Sequence, residues 1–385
     1  MKVCYVLPQY YKNSAENFYH IVNFLEELGK NVELYVVIEH CDEEINISSA
    51  QDIFVLSDTK NSSNHFIRAL RLIQIYFKLN RKDVHIFFAR ASLTGVIPLI
   101  LANRILNLNR SKIIFWSCGQ DVVPLSYFPN KKNIKRLVSK VLVRVVFIGI
   151  NYLATGPEKM ARYYNKKFNI PKNKIITLYN DISLSRFFPE SEIWKSEKKQ
   201  ELINSQKKVF LFVHTFNKAR GVDLLPSIAL MLKKNDLDAL IIAIGRPGDY
   251  SKELDLIIQK NNLSDYLINF NQIENSKIQK FYQISDLFLM PSRGEGFPRV
   301  MLEAMACKCP PLAFDVGGVS EIMSKKMHHD LLVTLDDDKG FIDKAIEAIS
   351  NDELLTKLSN MSYLKVQNYS TENIVQMYIG AFKNV

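Results

Sequence analysis

Long apolar runs are missing from this 385-residue chain. No segment approaches the ~20 uninterrupted apolar residues that a membrane span needs. The nearest candidate, residues 141–154, is interrupted by Arg144 and Asn151. The apolar run at residues 2–7 is too short for a secretory leader and indicates a first β-strand. We therefore expect a soluble, cytoplasmic protein.

Cysteine and histidine are few, and they do not form metal-binding or disulfide motifs. The chain has five cysteines and seven histidines. The odd cysteine count and the lack of any C-x-x-C pair argue against a disulfide framework. Cys307 and Cys309 lie close together, but no third ligand is nearby in sequence. We expect the cysteines to pack in the core and the protein to hold no structural metal.

The common phosphate-binding and hydrolase motifs are absent as well. The sequence contains no G-x-G-x-x-G, no G-x-x-x-x-G-K-[ST] and no G-x-S-x-G. These absences argue against the usual dinucleotide-binding enzymes, P-loop proteins and serine hydrolases. A nucleotide-sugar epimerase or a nicotinamide oxidoreductase would need a glycine fingerprint after its first strand, and residues 8–15 provide none.

Acidic residues are unevenly distributed in a chain whose net charge is +10. Residues 59–82 and 122–157 contain no acid, and both stretches place Lys and Arg among apolar residues at helical spacing. One interpretation is a basic amphipathic helix that lies on an anionic membrane surface. Another is a helix packed on a sheet with its basic side chains in water. Nucleic-acid binding is the weakest interpretation, because no recognised binding motif accompanies the charge.

Strand-like and helix-like segments alternate along nearly the whole chain, which predicts parallel sheets covered by helices. The length exceeds the roughly 250–300 residues at which one core stops growing, so we expect two domains. Residues 189–208 are charged and lack strand character, and they predict the boundary. The expected domains are residues 1–188 and 189–367. Strands are predicted at residues 2–7, 31–38, 84–88, 112–116, 151–155, 174–178, 208–213, 239–244, 287–290, 311–314 and 331–334.

One local pattern carries most of the chemical information. A strand at residues 287–290 is followed by a loop containing Gly294 and Gly296, and then by a helix that Pro298 opens. Backbone N–H groups at such a helix start bind anions, and glycines let a ligand approach the backbone closely. Glu303 lies more than one turn into the helix, where it could accept hydrogen bonds from ligand hydroxyls. Glu295, in the loop, could face a second polyhydroxyl group.

The pair Glu295 and Glu303 lies within PSRGEGFPRVMLEAMACKCPPLAFDVGGVSEI. This segment closely resembles the E-x7-E signature of the retaining glycosyltransferases of family 4. Residues 178–189, 209–223, 241–248 and 282–292 resemble other segments of that family. The resemblance implies the α/β GT-B fold of two facing Rossmann-like domains. It also implies that a C-terminal helix, at about residues 368–385, crosses back to the first domain.

The resemblance also implies roles for individual residues. Glu303 would bind the ribose of a nucleotide-sugar donor, and Glu295 would lie near the transferred sugar. Arg220, with help from Lys218, would stabilise the departing diphosphate. The remaining donor-binding positions would be Gly294, Gly296, Phe297, Pro298, Gly245 and Arg246. No metal or other cofactor would be needed, and the donor would be a UDP-sugar or a GDP-sugar.

The first domain departs from the family pattern. The loop after the first strand, with Tyr10 and Tyr11, lacks the family's glycines, and Cys118, next to Gly119, replaces a family histidine. We expect these four residues on the acceptor side of the site. The family arginine of the second domain falls near His214 or Thr215.

The function we expect is glycosyl transfer, with retention, to a lipid-linked or cell-envelope glycan acceptor on the inner face of the membrane. The basic stretches would contact that membrane. The alternative is a non-catalytic GT-B subunit that binds a partner, and the departures in the first domain favour it.

Overall fold

A computed structural model of the chain describes residues 1–10, 20–41, 45–56, 65–91, 93–105, 111–118, 143–270 and 272–385. These residues form two compact units. The first comprises Met1–Tyr179 together with Thr371–Val385, and the second comprises Asn180–Ser370. The sequence had suggested divisions after residues 188 and 367.

The first unit is built on a seven-stranded parallel sheet in the order β3-β2-β1-β4-β5-β6-β7. The strand order reverses between β1 and β4: successive strands are added toward one edge up to β3 and toward the other edge from β4 onwards. The strands are β1 Lys2–Leu7, β2 Glu33–Ile38, β3 Ala50–Val55, β4 Ile86–Arg90, β5 Lys112–Trp116, β6 Tyr152–Thr155 and β7 Ile175–Thr177.

Helices cover both faces of this sheet. Adjacent residues of β1 point to opposite faces, and the residues on each face pack against other side chains. Cys4 packs into a core that includes Tyr76. On the other face, the ring of Tyr5 lies 4.9 Å from that of Phe88, which in turn lies 5.5 Å from the ring of Tyr378. Tyr378 belongs to the C-terminal helix, which therefore packs on the first sheet, as expected. The helices are α1 Ile21–Gly29, α2 His65–Asn80, α3 Leu93–Ile105, α4 Glu158–Phe168 and the C-terminal helix Thr371–Lys383.

The second unit contains a six-stranded parallel sheet in the order β10-β9-β8-β11-β12-β13. Its strands are β8 Lys208–Val213, β9 Ala239–Ile244, β10 Leu267–Phe270, β11 Leu287–Met290, β12 Pro311–Phe314 and β13 Leu332–Val333. Its helices are α5 Glu192–Ile203, α6 Leu225–Lys234, α7 Ser251–Lys260, α8 Asn275–Ile284, α9 Arg299–Ala306, α10 Val319–Ile322, α11 His328–Leu331, α12 Asp338–Ile349 and α13 Asp352–Val366.

This second sheet is also covered on both faces. Phe288 of β11 lies against Tyr282 of α8 with ring centroids 5.8 Å apart, and Phe314 of β12 lies 5.0 Å from Phe341 of α12. The β11–β12 register places Phe288 and Phe314 on opposite faces. The strand order reverses between β8 and β11. In open parallel sheets, ligands bind outside the carboxyl ends of the strands at this point.

The charged segment at residues 189–208 is part of the second unit rather than a linker. Ser191 caps α5 through its side chain, and Lys195 and Lys199 place their ammonium groups 2.8 and 2.9 Å from the carboxylate of Asp286. Burial alone would raise the pKa of Asp286, but the two lysines lower it overall. Two lysines of the segment that the sequence predicts as the domain boundary therefore anchor α5 to the start of β11.

Candidate functional site

Two loops meet where the second sheet reverses its order: residues 214–221 after β8 and residues 291–298 after β11. Arg293 ties them together. Its backbone N–H donates to Ala219 O at 2.9 Å, and its Nη1 donates to Lys218 O at 2.6 Å. The same guanidinium pairs with Asp223 at 2.9 Å. The two loops are thus held as one surface at the carboxyl edge of the sheet.

Arg220 lies directly against the loop at residues 291–298, called the signature loop below. The side chain of Asn217 accepts a hydrogen bond from Arg220 N at 3.0 Å and so caps the short turn at residues 218–220. Arg220 Nη1 then lies 2.6 Å from Glu295 Oε1 and 2.7 Å from Gly294 O. It also donates to Ser292 Oγ at 3.3 Å. The structure therefore brings together two predicted site residues, Arg220 and Glu295.

The Glu295 carboxylate is held in its charged form. Its side chain is only 11% exposed. Burial alone would raise the pKa of Glu295, but a hydrogen bond from His214 and the charge of Arg220 outweigh burial and lower it. His214 Nε2 lies 3.5 Å from Oε1, the same oxygen that Arg220 contacts. Glu295 is thus an ionised carboxylate flanked by two nitrogen donors.

The backbone of the signature loop is fixed by neighbouring elements of its own unit. Gly296 O accepts from Gly318 N at 2.8 Å, and Phe297 O accepts from Asn180 Nδ2 at 2.9 Å. Gly317 adopts φ +51°, and a Cβ there would lie 2.0 Å from Glu295 O. The close approach of the loop after β12 therefore requires glycine at position 317.

The signature helix α9 follows the loop, as the sequence predicted. Pro298 is its N-cap, and its first residue, Arg299, pairs with the buried carboxylate of Asp181 at 2.9 Å. The partial positive charge at a helix start favours an anionic ligand. Glu303, in the second turn, is 4% exposed.

Other predicted donor-side residues lie nearby, in different surroundings. The Lys218 ammonium lies 4.0 Å from the carboxylate of Glu253 and over the ring of Tyr250. Arg246 and Gly294 are exposed, and a Cβ at Gly294 would meet no atom within 4 Å. Gly245 directly follows β9. The residues predicted on the donor side therefore comprise an inner pair, Arg220 and Glu295, and a more exposed rim.

The residues predicted on the acceptor side fall partly outside the described residues, where Tyr11 and Gly119 lie. Tyr10 is buried and its N–H donates to His40 O at 2.8 Å, while Cys118 is half-buried just after β5. Both lie on loops that follow strands of the first sheet.

The basic stretch at residues 59–82 is described from residue 65 onwards and includes α2. Several of its basic groups contact the first unit. Arg71 donates to Leu56 O at 3.3 Å, Lys82 pairs with Asp52 at 2.7 Å, and Lys78 lies over the ring of Phe54. These contacts favour the interpretation in which α2 packs on the sheet, while Leu70 remains 45% exposed. The stretch at residues 122–157 is described only from residue 143 onwards.

The sequence did not identify every residue of this site. Asn217, Asn180 and Gly317 act on Arg220 and the signature loop through backbone contacts. Only Asn217 carries a local signal, because Asn commonly caps a turn. In the described part of the chain, no group of three or more His, Cys, Asp or Glu side chains could hold a metal ion, and no helix has the length and apolar character of a membrane span.

Comparison with solved structures identifies the fold. Over its full length, the chain resembles Anabaena HepE in complex with UDP and glucose, with a TM-score of 0.75, 14% identity and 100% of both chains covered. It also resembles sucrose-phosphate synthase from Thermosynechococcus elongatus, with a TM-score of 0.74, 14% identity and 100% coverage of both chains. At this identity the likeness establishes the fold alone, and that fold is GT-B.

Sequence comparison shows which known proteins the chain is similar to. Residues 195–365 match the family described as "Glycosyl transferases group 1". The chain is 25% identical over 310 residues to N-acetyl-alpha-D-glucosaminyl L-malate synthase of Bacillus anthracis, covering 79% of this chain and 76% of that protein. It is 28% identical over 306 residues to the lipopolysaccharide core biosynthesis mannosyltransferase LpsB of Rhizobium meliloti, covering 77% and 78%. Residues 195–365 thus match the group 1 glycosyltransferases, in agreement with the family resemblance found in the sequence.

Proposed function

We propose that this glycosyltransferase takes a sugar from a nucleoside-diphosphate donor and transfers it, with retention, to a lipid-linked or cell-envelope glycan. The observation that carries the proposal is the contact between Arg220 Nη1 and Glu295 Oε1, 2.6 Å apart. It joins a cation and an ionised carboxylate where the strand order reverses, beside the start of α9. The cation and the helix start match the diphosphate of such a donor, and the carboxylate matches its sugar hydroxyls.

The transfer requires stabilisation of the departing diphosphate. When the bond between the sugar's anomeric carbon and the phosphate oxygen breaks, negative charge grows on that oxygen. Arg220 and the start of α9 would stabilise this charge, because both are already in place before the reaction begins. Glu295 would hold the hydroxyls of the transferred sugar, and Glu303 those of the ribose. Retention and independence of metals are inferred from the resemblance to family 4.

The proposed acceptor is supported by the charge of the chain and by the name of one of its relatives. LpsB is named as a mannosyltransferase of lipopolysaccharide core biosynthesis, which supports an envelope glycan acceptor. The net charge of +10 and the acid-free stretch at residues 122–157 support contact with an anionic membrane surface. Vesicles of anionic lipid should therefore sediment the protein at low salt, and neutral vesicles should not. Equal recovery in the supernatant with both kinds of vesicle would contradict the membrane part of the proposal.

The donor reaction is tested by ¹H NMR. The purified chain is mixed with UDP-, GDP- and ADP-sugars, and the anomeric signals of donor and released sugar are followed. We expect consumption of sugars from one nucleotide family, with the donor's anomeric configuration in the first product. Arg220→Met should lower kcat/KM by about 10²–10³-fold, because it removes a cation from the departing phosphate.

The matched control is Arg162→Met, which removes an exposed arginine from α4 in the other unit. It should leave kcat/KM unchanged. If the wild type consumes none of the donors and binds none of them, the result would contradict the proposal and favour a partner-binding role. A first product with inverted configuration would contradict retention alone.

A further inference from the structure

Among the described residues, His214 is a titratable side chain beside Glu295 that the proposed reaction has not used. It directly follows β8, and its side chain is 23% exposed. His214 Nε2 lies 3.5 Å from Glu295 Oε1. Arg220 Nη1 lies 2.6 Å from the same oxygen. A histidine and an arginine from one loop thus converge on a single carboxylate oxygen.

The orientation of the imidazole is fixed by its own backbone. Thr215 N donates to His214 Nδ1 at 2.8 Å, so Nδ1 is an acceptor. In the neutral ring the proton is then on Nε2, the nitrogen that faces Glu295. The position of the residue is fixed as well. His214 N donates to Ile244 O at 3.1 Å, and a Cβ at Gly245 would lie only 1.6 Å from His214 O.

A second nitrogen that donates a hydrogen bond restricts the orientation of the Glu295 carboxylate more than Arg220 does alone. The contact at 2.6 Å fixes the distance between Arg220 and Glu295, and a side-chain hydrogen bond with Ser292 also restrains the carboxylate. His214 adds a further contact to Oε1 and so limits rotation of the carboxylate plane further. The present distance of 3.5 Å is at the outer limit of a hydrogen bond. Hydrogen bonds between active-site groups are often long in the ligand-free enzyme and shorten when the substrate binds.

We propose that His214 is the positioning residue of Glu295: its Nε2–H holds the carboxylate in the orientation that receives the hydroxyls of the transferred sugar. This assignment rests on the proposed function, in which Glu295 binds the sugar part of the donor. His214 acts through Glu295 and does not touch the nucleotide. Its loss therefore affects turnover of the sugar donor and spares the affinity for the free nucleoside diphosphate.

Three substitutions separate this role from a purely structural one. His214→Ala should lower kcat/KM for the nucleotide sugar by about 10–100-fold, because a small misplacement of a substrate-binding group has large effects. The dissociation constant of UDP or GDP, measured by calorimetry, should stay within about twofold of the wild-type value. His214→Gln places an amide N–H near the Nε2 position and should restore most of the activity. His214→Asn places its amide near Nδ1 and should not.

A double-mutant cycle with Glu295→Gln tests whether the two residues act together. In the Glu295→Gln background, His214→Ala should change kcat/KM by less than about threefold. Additive losses would overturn the assignment, as would a kcat/KM of His214→Ala within twofold of wild type. Parallel losses in kcat/KM and in nucleoside-diphosphate affinity would also overturn it, because they indicate general damage to the loop. A wild type that consumes no nucleotide sugar would overturn the proposed function itself and this assignment with it.

Discussion

Gly317→Ala should destabilise the second unit and displace Glu295 at the same time. Gly317 lies at φ +51° in the loop after β12. A residue with a Cβ adopts this left-handed conformation at a cost of roughly 1–2 kcal/mol. The new Cβ would also lie 2.0 Å from Glu295 O and 3.0 Å from Gly296 O, so the two loops must separate. Such overpacking typically costs about 1–3 kcal/mol. The sum predicts a loss of about 2–5 kcal/mol in the free energy of unfolding.

Urea denaturation of the second unit measures this loss. The chain has two tryptophans, Trp116 in the first unit and Trp194 in the second. In a Trp116→Phe background, the fluorescence of Trp194 reports the second unit. The matched control, Gly380→Ala, places a Cβ on the C-terminal helix where no atom lies within 4 Å, and it should be neutral or stabilising. If Gly317→Ala changed the free energy of unfolding by less than about 0.5 kcal/mol, the loop contact described here would be wrong.

Three further predictions concern other buried groups. Asp286→Asn should cost about 3–5 kcal/mol, because it leaves two partly buried lysines unpaired. The pKa of Asp286 is lowered and that of Lys195 is raised, so the wild-type advantage should be complete between their unfolded-state values of about 3.9 and 10.4. It should fall as acid protonates Asp286 and as base deprotonates Lys195, which urea titrations across this pH range measure. Burial raises the pKa of the Cys4 and Cys307 thiols, so mass spectrometry should find both unmodified by a thiol reagent at pH 8 until urea is added. Asp181→Asn removes the buried partner of the first residue of α9; calorimetry should show weaker donor binding, and an unchanged affinity would contradict a role for that helix start.

The sheets were predictable wherever strands are buried on both faces. Lys208–Val213, Leu287–Met290 and Pro311–Phe314 coincide with apolar runs in the sequence. Ala50–Val55 and Leu267–Phe270 were not predicted. They are β3 and β10, each at one edge of its sheet, and most of their residues are half-buried or exposed. An edge strand can have mixed polarity because half of its surroundings are solvent or loops, so it leaves a weak signal in the sequence.

The candidate site could likewise be predicted only in part from the sequence. The glycine-bearing loop and its two glutamates were visible because they are contiguous with a strand and a helix. The contact of His214 with Glu295 depends instead on β8 lying next to β11 in the sheet. Strand order is not encoded in local spacing, so no pattern in the sequence connects these two residues.

We propose that a nucleotide-sugar donor binds beside Arg220, Glu295 and Glu303. This claim is tested by thermal unfolding with UDP, GDP, ADP, their sugar conjugates and NAD. A donor at about 100 times its dissociation constant should stabilise the protein by about 2.7 kcal/mol, which raises Tm by several degrees. We predict such a shift for one nucleotide family in the wild type and in Glu347→Gln, an exposed control, and its loss in Glu303→Gln. No shift with any of these nucleotides, or an undiminished shift in Glu303→Gln, would contradict the claim.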